Sequence, residues 1–207
     1  MLKSFDEYVS LAEQAHGHLC AGQLLGVRLA LHGLKLLELD DPTGRDRKRL
    51  VTFVEIDRCA TDAIGLVTGC RLGKRALKFA DFGKMAATFC DLQEGRAVRV
   101  AAKESAKQRA REMFPAMESP AKQQMLAYRE LPEEELFEVQ WVRVALKPED
   151  LPGYKAAKAV CSECGESISF KREVVRHGEV LCRACAGERY YDVLPEPQLE
   201  LPGESEP

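Results

Sequence analysis

The chain has 207 residues, 45% of them hydrophobic and 30% charged, which suits a folded globular protein with one sizeable core and a small second unit. Two large domains, a collagen-like repeat and a disordered chain are excluded. Thirty lysines and arginines against 33 acids leave a net charge of -3, so no global field draws the molecule onto DNA or an anionic membrane.

At the N-terminus, MLKSFDEYVSLAEQ carries Asp6, Glu7 and Glu13 where a signal peptide needs an unbroken apolar stretch, and no run approaches the roughly 18 apolar residues of a membrane span. We therefore expect a cytoplasmic protein with no membrane partner, whose eight cysteines stay reduced and serve as metal ligands or functional thiols. Ser4 and Glu7 form a capping-box pattern ahead of Phe5, Tyr8, Leu11 and Ala12 at helical spacing, and the first helix is predicted to end near Gly17. After HGHLC a second helix is predicted over about 22–37. Gly22, Gly26 and Gly33 weaken a helix, so we expect them where a neighbouring element comes close.

A charged turn at 40–49 leads into VTFVEI at 51–56, a β-branched run read as a strand, and RCATDAIGLVTGC follows as a short helix between two cysteines. KMAATFCDL at 84–92 and RAVRVAA at 96–102 read as two strands around a turn. KESAKQRAREMF is a helix that stops at Pro115, another helix covers about 120–129, and FEVQWVRVAL at 137–146 alternates as a further strand. Helices and strands mix without a βαβ repeat, so the fold class is α+β over residues 1–150.

KPEDLPG at 147–153 marks a linker, with a second small domain at 154–192 and an acidic, proline-rich tail at 193–207 that has too little apolar surface to fold alone. In that second domain Cys161, Cys164, Cys182 and Cys185 stand as C-x2-C-x17-C-x2-C, the spacing of a closed tetrahedral zinc site; a redox pair of dithiols is the competing and less specific reading. Gly165 suits the left-handed turn after the first pair. SISFKREVVRHGEVL reads as a hairpin turning at His177 and Gly178, and a helix is predicted to begin at CRACAGERYYDV. Knuckle, hairpin and helix together resemble a treble-clef zinc finger. Four cysteines leave no open coordination position, so this zinc is structural and supplies most of the folding free energy of so small a unit. Seven bases against five acids between Lys155 and Arg189 make the finger only mildly basic, so nucleic-acid binding through Lys171, Arg172 and Arg176 is not favoured over a protein contact or a solvated face.

HGHLC places His16, His18 and Cys20 in a glycine-containing loop, and Cys59 follows a predicted strand. Together they form a candidate second site for zinc or another transition metal, with one position open to water or a ligand. We read His18, Cys20 and Cys59 as ligands, and His16, Asp62 and Cys70 as candidate catalytic or proton-transfer groups in the same cleft, with Lys74 favouring the Cys70 thiolate. Against this stands the plainer reading that single cysteines and histidines are often core residues. GCRLGK is not a phosphate loop, because its glycines are too close and Arg75 stands where Ser or Thr would hold magnesium. Arg71 and Lys74 remain candidate contacts to an anionic group of a ligand. Cys90 and His32 read as core or surface residues, and the basic stretch 96–111 as a solvated helix face.

HGHLCAGQLLGVRLA, RCATDAIGLVTGCRLGK and DFGKMA, in this order over roughly residues 10–105, resemble the FmdE family, named for a component of formylmethanofuran dehydrogenase. The resemblance implies an α+β core that forms homodimers, a treble-clef finger in some members, and a cleft in which His16, His18, Cys20, Cys59 and Cys70 cluster. Ala21 stands where that family often has Pro, and Arg71 where a small hydroxyl residue is common. The function expected is that of a metal-binding accessory subunit or metal-dependent enzyme, an oxidoreductase component, linked to formylmethanofuran dehydrogenase, molybdopterin or one-carbon metabolism. The alternative is an adaptor whose finger binds nucleic acid or a protein while the core senses a metal or small ligand.

Overall fold

In a computed structural model, which describes residues 1–193, the chain forms two compact units, one running from Met1 to Gly153 and a second starting at Tyr154. All but the first residue of the acidic stretch at 193–207 lies outside the described residues. The first helix, α1 (Phe5–His16), begins on the Ser4–Glu7 capping box. The Glu7 N–H donates to Ser4 Oγ and the Ser4 N–H donates to Glu7 Oε2. It ends at Gly17, whose φ of 90° lets its N–H reach back to the Glu13 carbonyl. The second helix, α2 (Ala21–Leu36), is the axis of the unit: Leu24, Val27, Leu29, Ala30 and Leu34 are fully buried on several sides.

A five-stranded sheet packs against α2. Its strands are β1 (Leu50–Val54), β2 (Leu77–Phe79), β3 (Ala86–Asp91), β4 (Arg96–Ala102) and β5 (Phe137–Trp141), in the order β2-β1-β3-β4-β5. β1 and β2 run parallel and the other pairs antiparallel, with Thr52 opposite Phe89 and Phe89 opposite Val98. Every residue of β3 is buried because both its faces are covered. Ala87 and Phe89 face the helices, while Cys90 joins Val51 and Ala97 on the other side. That second face is closed by Val142, Val144 and Leu146. The strand expected over 137–146 thus ends at Trp141: Val142 makes one last bond to the Ala97 carbonyl, and the segment then leaves the ladder to lie across the sheet.

The helix α3 (Cys59–Thr68) connects β1 to β2, and α4 (Ser105–Met113), α5 (Pro120–Glu130) and the single turn α6 (Glu133–Leu136) separate β4 from β5. Two glycines of α2 do what their cost implies. A Cβ on Gly26 would lie 2.6 Å from the Ala60 carbonyl oxygen and 2.8 Å from its Cα, and one on Gly33 would lie 2.3 Å from the buried Phe89 ring. Both helix and sheet therefore touch bare backbone of α2.

In the second unit, β6 (Ala159–Val160) pairs with β7 (Ser167–Ile168), and β8 (Val174–Arg176) pairs with β9 (Glu179–Leu181) around His177 and Gly178, both at positive φ. The helix expected at the second cysteine pair is only the turn Ala184–Glu188. Gly187, at φ 100°, breaks it before the two tyrosines.

This packing can be tested at two positions. Gly26→Ala gains about 1 kcal/mol of helix propensity but drives a methyl into the Ala60 backbone; we expect a net loss of about 2 kcal/mol, seen as a lower urea midpoint. The second position is Asp91, which is 1% exposed. Burial opposes its charge, but the Arg49 guanidinium at 2.6 Å and the N–H groups of Gln93 and Glu94 outweigh burial and hold the carboxyl below its ordinary range. A depressed folded value means that the stabilisation is complete above the unfolded value of about 3.9 and is lost as pH falls through the folded one. Asp91→Asn should cost about 2–3 kcal/mol at neutral pH and flatten the acid limb of the stability curve, as measured by denaturant titration between about pH 2 and pH 7.

Candidate functional site

Cys20 is the N-cap of α2 and Cys59 the first residue of α3, so two helix starts meet at one place. A Cβ on Gly22 would stand 3.6 Å from Cys59 Cβ and 3.7 Å from Cys20 Sγ, so the glycine fills the gap between the cysteines with backbone alone. Gln23 is fully buried and fixes the turn. Its Oε1 accepts from the Cys20 N–H and its Nε2 donates to the Ala12 carbonyl, tying α1 to α2. The Thr61 hydroxyl donates to the Ile56 carbonyl and anchors the start of α3.

His16, at the end of α1, completes the cluster: one donor atom from each of His16, Cys20 and Cys59 lies within 4.8 Å of the other two. One imidazole and two sulfurs at that separation fit three corners of a tetrahedral zinc-type site. Burial first, then the hydrogen bond and charge of Cys20, raise the Cys59 thiol above its ordinary value. A divalent cation between two such sulfurs would remove the repulsion that opposes their ionisation. The Asp62 carboxylate stands 3.6 Å from His16 Nδ1, in ion-pair range though too far for a hydrogen bond.

His18 falls outside the group: its ring lies 4.9 Å from that of His16, and it is exposed. The imidazole that the structure brings to the cysteines is that of His16 and not of His18, because α1 ends by carrying His16 inward while Gly17 turns the chain away. Cys70 is 3% exposed and sits among apolar residues, where Thr52 Oγ1 approaches its sulfur at 3.5 Å. Burial raises its thiol, and the Lys74 charge is the weakest of the influences that oppose this, so the expected thiolate is not favoured. Arg71 and Lys74 do not converge either. Arg71 borders a cavity of about 550 Å³ together with His16, Asp62 and Cys70, whereas Lys74 borders another, of about 380 Å³, with Arg47 and Lys48. The segment between them is one short turn, Leu72–Lys74, and not the start of a long helix. A larger cavity, about 820 Å³, opens beside Cys20 and Cys59.

Cys90 is 3% exposed, and burial pushes its thiol up to about 12. His32 is half-buried against Phe137 and held low by burial first. In the basic stretch, Lys107 pairs with Glu104, and Arg109 with Glu112 and Glu135. Sequence reasoning missed Gln23, although its place three residues after an N-cap is the capping-box position that could have revealed it.

In the second unit one sulfur from each of Cys161, Cys164, Cys182 and Cys185 lies within 4.8 Å of the rest, and Cys164 and Cys182 are 3.9 Å apart. The edge of a tetrahedron with Zn–S bonds of about 2.3 Å is close to that distance, so the four-cysteine cluster fits a structural zinc site. The Cys182 N–H donates to Cys161 Sγ at 3.2 Å. Backbone N–H groups of Cys164 and Cys182 hold the Cys161 thiol down to about 6. Gly165, at φ 75°, makes the turn after the first pair.

The family model described as FmdE, molybdenum formylmethanofuran dehydrogenase operon, matches residues 15–138, and that of the prokaryotic dksA/traR C4-type zinc finger matches residues 155–191. A probable S-adenosyl-L-methionine-binding protein of Archaeoglobus fulgidus is 30% identical over 214 residues, covering 93% of this chain and 56% of its own length; the chain spans about half of that curated relative. In fold it is similar to the crystal structure of a tungsten formylmethanofuran dehydrogenase FmdE-like protein from Syntrophus aciditrophicus, with a TM-score of 0.61 over 91% of this chain and 95% of that one at 24% identity. Among the described residues no helix is long and apolar enough to cross a membrane.

Removal of zinc from the finger with EDTA is expected to unfold residues from about 154 onward while the sheet of the first unit persists. Limited proteolysis would show this as rapid cleavage after Lys171 or Arg176 and slow cleavage within residues 1–153; equal protection of both units after chelation would contradict it.

Proposed function

The chain belongs to the FmdE family, and from that premise we propose that its core is a metal-binding unit in which His16, Cys20 and Cys59 hold zinc or another transition-metal ion beside a ligand cavity. The observation that carries this reading is the convergence of one imidazole and two sulfurs from three different helix ends, with Cys20 and Cys59 bordering a cavity of about 820 Å³ and His16 bordering another of about 550 Å³. A bound ion with an open position would act as a Lewis acid toward a ligand or water there. The chain's own residues would then do the rest. Asp62 lies at ion-pair distance from His16 Nδ1, Gln23 fixes Cys20, and Leu25, Ile56 and Met85 give the cavity apolar lining. Cys70 serves as a wall.

Linkage to formylmethanofuran dehydrogenase, molybdopterin or one-carbon metabolism is part of the proposal, as is assembly into a homodimer. The edge strand β5 offers exposed Val139 and Trp141 for such assembly. S-adenosyl-L-methionine, in the name of the Archaeoglobus relative, is one ligand to try. A second reading makes the finger a docking module for nucleic acid or protein. It is favoured by exposed Val175 and Tyr190, and by Arg172 and Arg189 lying over the Phe170 and Tyr191 rings.

The test is metal content of the full chain, purified without chelator or histidine tag. The wild type should carry about two metal ions and Cys59→Ser about one, with the far-ultraviolet spectrum unchanged. Two ions retained by Cys59→Ser would sink the ligand assignment.

A further inference from the structure

The cavity beside Cys20 and Cys59 is built from helix starts. Ala21 and Gly22 of α2, Cys59 of α3, Ala106 of α4 and Ala121 of α5 all lie within the first turn of their helices and all border it. Helix starts direct unpaired N–H groups and partial positive charge outward.

The side chains add to that charge. Five basic residues line the cavity (Arg58, Lys84, Arg99, Lys103 and Lys107) against two acids, Glu104 and Glu138, in a chain whose net charge is -3. Some are already engaged: Arg99 grips Glu55 through two bonds of 2.7 and 2.8 Å, and Lys107 pairs with Glu104. The Lys103 ammonium donates to a neutral carbonyl, that of Glu134. Arg58 and Lys84 have no carboxylate partner among the described residues, so their positive charge is left over at the cavity, with Arg58 next to Cys59 in the chain.

A second observation is independent of charge. Tyr128 is 3% exposed and borders the same cavity, yet its hydroxyl has no hydrogen-bond partner among the described residues. The ring is buried but the hydroxyl oxygen is not among the buried unpaired atoms, so it keeps access to solvent and is free to donate to a molecule in the cavity. Burial pushes this phenol up to about 12, so it remains a donor at any physiological pH. Leu25, Ile56 and Met85 add apolar lining.

We propose that this cavity binds a small organic anion, a carboxylate or phosphate ester with an apolar body, its acidic group on Arg58 and Lys84 and an acceptor atom on the Tyr128 hydroxyl. This deepens the metal-centre reading and rests on it only in placing the ligand next to the His16–Cys20–Cys59 cluster; the charge and the phenol stand without a metal.

The experiment uses the full chain and a matched pair of fluorescent probes, the anionic 1-anilinonaphthalene-8-sulfonate and the uncharged N-phenyl-1-naphthylamine. The anion is expected to bind about tenfold more tightly than the neutral probe, as one charge-assisted contact implies. Lys84→Met should remove most of that preference while the metal content stays at the wild-type value. Tyr128→Phe should weaken binding of the anion by about fivefold with the circular dichroism spectrum unchanged. Displacement of the bound sulfonate by benzoate marks the carboxylate class and displacement by phenyl phosphate the phosphate class. Equal binding of the two probes, an unchanged preference in Lys84→Met, or displacement by neither competitor overturns the proposal. Metal content is read on the same samples, so loss of the metal reading with retention of anion binding, or the reverse, separates the two failures.

Discussion

The crossing of α2 over α3 at Gly26 and Ala60 sets a spacing on which the rest of the core depends. No side chain separates the two backbones there, since a Cβ on Gly26 would fall 2.6 Å from a carbonyl oxygen. From this contact each helix runs back to a cysteine, Cys20 at the cap of α2 and Cys59 at the first position of α3. Widening the crossing by one methyl group would move the two sulfurs apart and out of reach of a common ion. Gly33, further along α2, lets the Phe89 ring press onto the same helix, so the sheet and the site share one axis.

Electrostatics at the cysteines divides along a simple line. Helix starts and aimed N–H groups favour a thiolate, while burial and neighbouring sulfurs oppose it. At Cys161 the N–H groups win and the thiol falls to about 6; at Cys59 burial and Cys20 win and it rises. A closed four-sulfur knuckle with its backbone donors already in place suits a permanent structural ion. A cation held by the core trio as proposed would displace protons from its thiols, so that higher pH would favour the loaded state.

Much of this was legible in the chain. The Ser4–Glu7 box, the Gly17 stop, the strands around 84–102 and the C-x2-C pairs are local signals, and local signals survive folding because the groups that satisfy them are a few residues apart. What escaped depends on distance. β2 is three residues long and takes its place by lying parallel to β1, a strand more than twenty residues away. The choice of His16 over His18 turns on where α1 stops, one residue before a glycine in the left-handed region. Arg71 and Lys74 looked like neighbours by spacing, but the short turn between them sends them to different cavities. Tyr128 had nothing to mark it, because an unpaired hydroxyl is visible only once its surroundings are known.

The eight cysteines show how far residue type alone carries an argument. Cys70 and Cys90, each 3% exposed, behave as small apolar residues: burial raises both thiols and Cys70 lies in the main core. Cys20 and Cys59 differ from them by position, since a helix start cannot be buried without a partner for its free N–H groups and therefore keeps access to a cavity. That access is what would let an ion held there meet a ligand, unlike one in the four-sulfur cluster, where four sulfurs fill a tetrahedral site. The same geometric fact, helix starts facing one cavity, adds to its positive character, so under the two proposals the position that frees the sulfurs for a metal also favours an anionic ligand beside them.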